Sequence, residues 1–258
     1  VNDAPTANAA SGTVAEDGSV VITLTGNDID GDIITFSVAD NATNGSVSIG
    51  GSLAIYTPSA NFSGDDSFTF TASDGDLSDT ATVTLTVTAV NDAPTLASVD
   101  AVSFDEDGSG STTLVGSDID SSDLTYSISG GTDITATIDG DTVSFAASQD
   151  FNGSETFTAT VTDGEFSASK TFTVTVNAVN DAPTANAASG TVLEDGSIVI
   201  TLTGDDVDGD NLSFSLDTDA SNGNVSIEGA LATFIPTPNY NGNDSFIFTA
   251  SDGELSST

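Results

Sequence analysis

The stretch Phe68–Thr95 reads FTFTASDGDLSDTATVTLTVTAVNDAPT. Phe68 and Phe70 alternate with Thr69 and Thr71; after Ser73-Asp74-Gly75, Val83, Leu85 and Val87 alternate with threonines. A period of two with β-branched and aromatic residues predicts two strands joined by an Asp-Gly turn. The segment then ends on Val90-Asn91-Asp92-Ala93-Pro94-Thr95, which has no periodicity and carries a proline, the signature of a linker.

Working outward, that linker is a repeat marker. Val1–Thr6 and Val179–Thr184 carry the same six residues as Val90–Thr95, and residues 1–80 match 179–258 at 54 of 80 positions without gaps. The chain therefore reads as three tandem units, 1–90, 91–179 and 180–258. The middle unit is more divergent but keeps Glu106-Asp107-Gly108 and Thr162-Asp163-Gly164, the counterparts of Glu16-Asp17-Gly18 and Ser73-Asp74-Gly75. Val20, Ile22 and Leu24 are expected to face inward, as are Phe172, Val174 and Val176. Turn signals such as Asp30-Gly31 and Asn44-Gly45 arrive every eight to twelve residues, and no stretch shows a helical period. About seven strands per unit predict an all-β fold of tandem Greek-key β-sandwiches, cadherin- or immunoglobulin-like. Phe62, Phe151 and Tyr240 are expected in the core. The third unit stops before the counterpart of Ala81–Val90, so it is expected to lack its last strand, to leave the strand at Asp244–Ala250 with an open edge, and to be the least stable. With no initiator Met or signal peptide, the chain reads as a fragment of a longer protein.

Composition excludes whole classes of function. With no Cys and no His, zinc sites, thiol nucleophiles and Ser–His–Asp triads are out. One basic residue, Lys170, leaves no footprint for nucleic acid, and no apolar run is long enough for a membrane helix. Paired carboxylates can hydrolyse glycosides, yet no insertion interrupts the repeats to form a pocket, so no enzyme is expected.

The acids are the remaining signal: 40 of them for a formal net charge of −39, mostly Asp at turns. They recur as Glu16, as the loops Asp28-x-Asp30-x-Asp32, Asp118-x-Asp120 and Asp206-x-Asp208-x-Asp210, as the turns at Asp74, Asp163 and Asp252, and as the linkers Asn91-Asp92 and Asn180-Asp181. Two readings stand side by side. A solvated acidic surface keeps a protein dispersed, whereas clustered carboxylates suit a hard divalent cation. An EF-hand is rejected, because Gly31 falls at loop position four and Ala39 at position twelve, with no flanking helices.

Phe68–Thr95 resembles the end of a cadherin repeat with its linker, and Val14–Phe36, VAEDGSVVITLTGNDIDGDIITF, resembles the start of one. Together they resemble the bacterial cadherin-like tandem repeats of RTX-type giant adhesins, over the whole chain. That resemblance implies calcium between successive repeats. Glu16, Asn91, Asp92, Asp118, Asp120 and Asp163 would serve the first junction; Glu106, Asn180, Asp181, Asp206, Asp208 and Asp252 the second. It departs from cadherins at Ala89 and Ala178, where an acid is usual, and lacks the mid-domain Leu-Asp-Arg-Glu motif, to which Asp65-Asp66 and Glu155 lie nearest. Fewer ions per junction than in a cadherin are therefore implied, one or two.

Physics sets the terms of such a joint. Two carboxylates about 5 Å apart repel by roughly 3 kcal/mol at an effective dielectric near 20. Ordering a five-residue linker costs about 5–10 kcal/mol, and one ion at ten times its dissociation constant returns about 1.4 kcal/mol. Pro94 and Pro183, which restrict the linker beforehand, and direct contact must supply the rest. The expected function is a calcium-rigidified extender of a large bacterial surface or secreted adhesin, extracellular, its partners being neighbouring repeats of the same chain, calcium, and surface glycans through other domains. The alternative is a set of carbohydrate-binding modules, against which stands the lack of Trp and the presence of only three Tyr.

Overall fold

A computed structural model describes residues Val1–Thr258, and every regular element in it is a strand. The first repeat carries β1 (Thr6–Asn8), β2 (Ala10–Ala15), β3 (Val20–Thr23), β4 (Thr25–Asn27), β5 (Thr35–Asp40), β6 (Gly45–Gly50), β7 (Leu53–Pro58), β8 (Gly64–Ser73) and β9 (Ser78–Thr88). They form a four-stranded sheet β2-β9-β8-β5, a three-stranded sheet β3-β7-β6 and a short β1-β4 pair. β2 runs parallel to β9 while β1, just before it, pairs antiparallel with β4. Two sequence segments, 6–15 and 20–27, thus each serve two sheets, which is why nine strands appear where about seven were expected.

The second repeat follows the same order: β10 (Thr95–Leu96), β11 (Val102–Asp105), β12 (Ser109–Thr113), β13 (Gly116–Ser117), β14 (Thr125–Gly130), β15 (Ile134–Asp139), β16 (Thr142–Ala147), β17 (Gly153–Thr162) and β18 (Ser167–Asn177). Its sheets are β11-β18-β17-β14, β12-β16-β15 and β10-β13. The third has β19 (Thr184–Asn186), β20 (Ile198–Thr201), β21 (Thr203–Asp205), β22 (Ser213–Thr218), β23 (Gly223–Glu228), β24 (Leu231–Pro236), β25 (Ile247–Ser251) and β26 (Ser256–Ser257). Its sheets are β22-β25-β26, β20-β24-β23 and β19-β21.

The alternation read from the sequence is the alternation of burial. Ile22, Leu24, Val83, Leu85 and Val87 are buried and the threonines between them exposed. Phe68 and Phe70 pack with them beneath Ala54 and Tyr56 of the facing sheet. In the second repeat, Phe172, Val174 and Val176 are likewise buried, and Phe145, Phe157 and Phe172 stack with centroids 5.1 to 6.2 Å apart. Phe62, Phe151 and Tyr240 are half-buried at the core margin; the fully buried aromatics of the first repeat are Tyr56, Phe68 and Phe70. In the third repeat the strand expected at Asp244–Ala250 runs over Ile247–Ser251, paired with β22 along its length and with β26 at Ala250 and Ser251.

The chain divides into two compact units, Val1–Ala97 with Val115–Thr125 and Thr160–Ser169, and Ser98–Leu114 with Tyr126–Ala159 and Lys170–Thr258. The two pieces of the second repeat that join the first unit carry Asp118, Asp120 and Asp163. The reason lies in the linker.

Candidate metal centres

The linker residues are held by the acids that follow them. In the first unit, Asn91 Nδ2 donates to Asp163 Oδ2 at 2.8 Å and the Asp92 N–H donates to Asp120 Oδ2 at 2.7 Å. From the other direction, the Val90 N–H donates to Glu16 Oε1 at 2.7 Å, and Glu16 is only 4 % exposed. The loops are themselves tied. Asp118 Oδ1 accepts the N–H groups of Asp120 and Ser121, and Asp163 Oδ1 those of Glu165 and Phe166. With one oxygen of each carboxylate spent on its own turn, Asp163 Oδ2 is left to take Asn91 of the linker and Asp118 Oδ2 is left buried without a hydrogen-bond partner.

The second unit builds the same arrangement. Asn180 Nδ2 donates to Asp252 Oδ2 at 2.9 Å, the Asp181 N–H to Asp208 Oδ2 at 2.8 Å, and the Val179 N–H to Glu106 Oε1 at 2.6 Å. Asp206 Oδ1 accepts from Asp208 and Asp210, and Glu106 is 4 % exposed. All twelve residues singled out in the sequence are thus gathered into two groups, each inside one compact unit.

Four carboxylate oxygens in the chain are buried without a hydrogen-bond partner: Oδ2 of Asp28, Asp92, Asp118 and Asp206. An ionised oxygen withdrawn from water and left unpaired is costly. The same crowding bears on the linker carboxyls. Burial first, and then the charges of Asp17, Asp120, Glu16 and Asp118, push the Asp92 carboxyl above its usual range. Burial and then Asp107, Asp150, Asp208 and Glu106 do the same to Asp181. Asp163 moves the opposite way: the Glu165 N–H, and after it the Asn91 amide, outweigh burial and hold it below the usual range.

Sequence reasoning missed part of this field. Asp17, Asp107 and Asp150 act on the linker carboxylates. The glutamate-aspartate pairs Glu16-Asp17 and Glu106-Asp107 were a usable signal; Asp150 was not, since Asn61 and Asn239 stand at its place in the other repeats. The first linker copy also forms a set of its own. Asn2 Nδ2 donates to Asp74 Oδ2 at 2.9 Å and the Asp3 N–H to Asp30 Oδ2 at 2.7 Å. Carboxylate oxygens of Asp28, Asp30 and Asp32 lie within 4.8 Å of one another, as do those of Asp206, Asp208 and Asp210.

Asp66 and Glu155 have a different task. Asp66 accepts the N–H groups of Thr43, Asn44 and Ser67 and the Tyr56 hydroxyl, and Glu155 those of Thr132, Asp133 and Ile134. They cap a loop within their own repeat and take no part in the linker groups.

The donor set fits calcium: carboxylate and amide oxygens only, in loops without helices, with buried oxygens lacking any proton donor. Nothing in it offers the nitrogen or sulfur that softer metals favour.

Among solved structures the chain is similar to protocadherin gammaB7 EC3-6, at 15% identity and a TM-score of 0.57, covering 96% of this chain and 70% of that one. It is similar to human protocadherin-24 EC1-2 at 15% identity and a TM-score of 0.50, covering 67% and 98%. The endo-fucoidan hydrolase MfFcnA4 of glycoside hydrolase family 107 matches at 18% identity and a TM-score of 0.33; the chain spans 43% of it. No curated protein sequence matches. No helix is long and apolar enough to cross a membrane. The Bacterial Ig domain family matches residues 2–86, 91–177 and 180–258, nearly the whole length, and the chain belongs to that family.

Proposed function

We propose that this chain is a calcium-locked extender: repeats 1–90, 91–179 and 180–258 of a large secreted or surface-anchored adhesin of the RTX type, without catalysis of its own. Tandem Ig-like repeats suit a structural, spacing role. The observation that carries the calcium part is the set of buried, unpartnered oxygens on Asp92, Asp118 and Asp206. A divalent cation there relieves the repulsion around Asp92 and Asp181 and joins the acids to their linker. Extracellular calcium is high enough for sites of modest affinity, which favours a place outside the cell. The partners of each repeat are its neighbours in the chain, and adhesion to surface glycans falls to other domains.

Calorimetric titration of the intact chain with calcium tests this. Saturable binding that weakens at least about tenfold in Asp118→Asn and Asp206→Asn supports the proposal. Absence of binding at millimolar calcium, or equal binding by the variants, overturns it.

A further inference from the structure

The two linkers Val90–Thr95 and Val179–Thr184 are one sequence, but the acids around them are not one set. At the second linker, Asp206, Asp208 and Asp210 bring carboxylate oxygens within 4.8 Å of one another. At the first, Asp118 and Asp120 keep their places, while Ser121 and Ser122 stand where Gly209 and Asp210 stand. A further exchange lies in the preceding repeat of each pair: Asp150 occupies the position that Asn61 holds. The second junction thus has two carboxylates where the first has a serine and an asparagine.

The backbone explains how the third acid joins its group. Gly209 sits at φ +81°, as its counterpart Gly31 does at +82°, a left-handed conformation that glycine adopts without a Cβ penalty. The turn brings residue 210 back, and its N–H donates to Asp206 Oδ1 at 3.2 Å; Asp32 does the same to Asp28 Oδ1 at 3.3 Å. Ser121 is not left-handed, and here it is the N–H of Ser121 itself that donates to Asp118 Oδ1, at 2.8 Å. The Asp123 N–H then turns to Ser121 Oγ at 3.1 Å, and Asp123 forms no such group with Asp118 and Asp120.

Asp150 and Asn61 have nearly the same backbone, with φ +55° and +57°, a region that Asp and Asn both enter. Between these two turns the difference is therefore one of charge. That charge is among those bearing on the Asp181 carboxyl. A loop of fixed geometry holds a divalent ion more tightly as carboxylates are added to it. Salt hides little of a charge that lies closer than a Debye length, about 8 Å, and the oxygens of the Asp206 group are closer than that.

Resting on the calcium reading above, we propose that the two junctions are unequal: the second is the higher-affinity site, and Asp150 and Asp210 are the residues that set the difference. The rest of the two sets matches residue for residue. Glu16 answers to Glu106, Asn91-Asp92 to Asn180-Asp181, and Asp163 to Asp252, each with the same hydrogen bond to its linker. As calcium rises, the second linker is fixed first and the first linker later, so the two joints lock at different concentrations of the ion.

The test titrates the intact chain from chelator to about 10 mM free calcium at constant ionic strength, with hydrogen exchange followed by mass spectrometry. Both linkers read Val-Asn-Asp-Ala-Pro-Thr, so their intrinsic exchange is alike and their calcium midpoints compare directly. The midpoint at 179–184 is expected at least about tenfold below that at 90–95. Asp150→Asn together with Asp210→Ser should raise the second midpoint to within about threefold of the first and leave the first where it was. Ser121→Gly together with Ser122→Asp should lower the first. Equal midpoints in the unmodified chain, a lower midpoint at the first linker, or a midpoint unmoved by its own double variant overturns the ordering and leaves the calcium reading standing. Protection at neither linker over the whole range, or equal protection by sodium chloride in place of calcium, overturns both.

Discussion

The first and third repeats are nearly the same sequence in different circumstances, with 54 of 80 aligned positions identical. Phe68 and Phe70 are 1 and 0 % exposed, whereas Phe246 and Phe248 are half-buried. Ala10–Ala15 is a strand; its counterpart is not. Glu16 is buried with its carboxylate hydrogen-bonded, and Glu194 is exposed. In the first repeat β9 lies between β2 and β8, and residues 1–258 do not include its full counterpart in the third. The contacts are cooperative: in the first repeat that strand pairs with β2, and the Val90 N–H just beyond it anchors the Glu16 carboxylate.

The largest effect expected from this comparison is on core truncation. Phe70→Ala should cost about 3–5 kcal/mol, and Phe248→Ala, in a core already open to solvent, roughly half as much. Urea unfolding followed by segment-resolved hydrogen exchange checks this, because three repeats need not unfold in one step. The same measurement on the unmodified chain should find the third repeat least protected; uniform protection across all three would break the comparison.

Calcium comes next. One site held at ten times its dissociation constant contributes about 1.4 kcal/mol, so adding chelator should lower the melting temperature of the first two repeats by roughly 5–10 °C. Differential scanning calorimetry reads it directly, and Glu16→Gln should shrink the shift where Glu194→Gln leaves it unchanged.

The loop caps sharpen the comparison through pH. For Asp66, burial opposes ionisation, but the N–H groups of Ser67, Asn44 and Thr43 and the Tyr56 hydroxyl outweigh it and hold the carboxyl below its usual range. A depressed folded-state pKa means stability that is present above the ordinary Asp range and lost as pH falls through the folded value. Asp244 is lowered too, by the Asn222 N–H against burial and then by those of Ser245 and Ser221, with no tyrosine hydroxyl bonded to it. Acid should therefore cost both repeats stability as pH falls below the ordinary Asp range, and Asp66→Asn should flatten the acid limb of the first. Tyr56 is pushed up to about 12, by burial and then by Asp66. Its unfolded form ionises first, so the first repeat loses stability as pH rises from about 10 toward that value. Tyr56→Phe should remove this alkaline loss, read by circular dichroism.

The smallest expected effect is at Glu194 itself. Glu194→Gln touches an exposed side chain and should change stability by less than about 0.5 kcal/mol, against a measurable loss for Glu16→Gln, whose carboxylate holds the Val90 N–H.

Much of this was legible in the residues alone. The alternation at Phe68–Phe70 and Val83–Val87 determined strands and their buried faces, because side chains alternate strictly across a pleated sheet. The recurrence of Val-Asn-Asp-Ala-Pro-Thr determined the repeat, and the linker acids and loop acids that meet could be named because each occupies one position in a repeated unit. Tertiary structure decided what depends on distance between segments far apart in the chain. It decided that Asp92, Asp118 and Asp206 hold oxygens without partners, that Asp150 bears on Asp181, and that Asp66 and Glu155 serve loops and not linkers. It also decided that one run, 6–15, divides between two sheets, β1 pairing with β4 and β2 with β9. A strand's hydrogen bonds are made to its neighbour, so local sequence sets its propensity and the neighbour sets its existence.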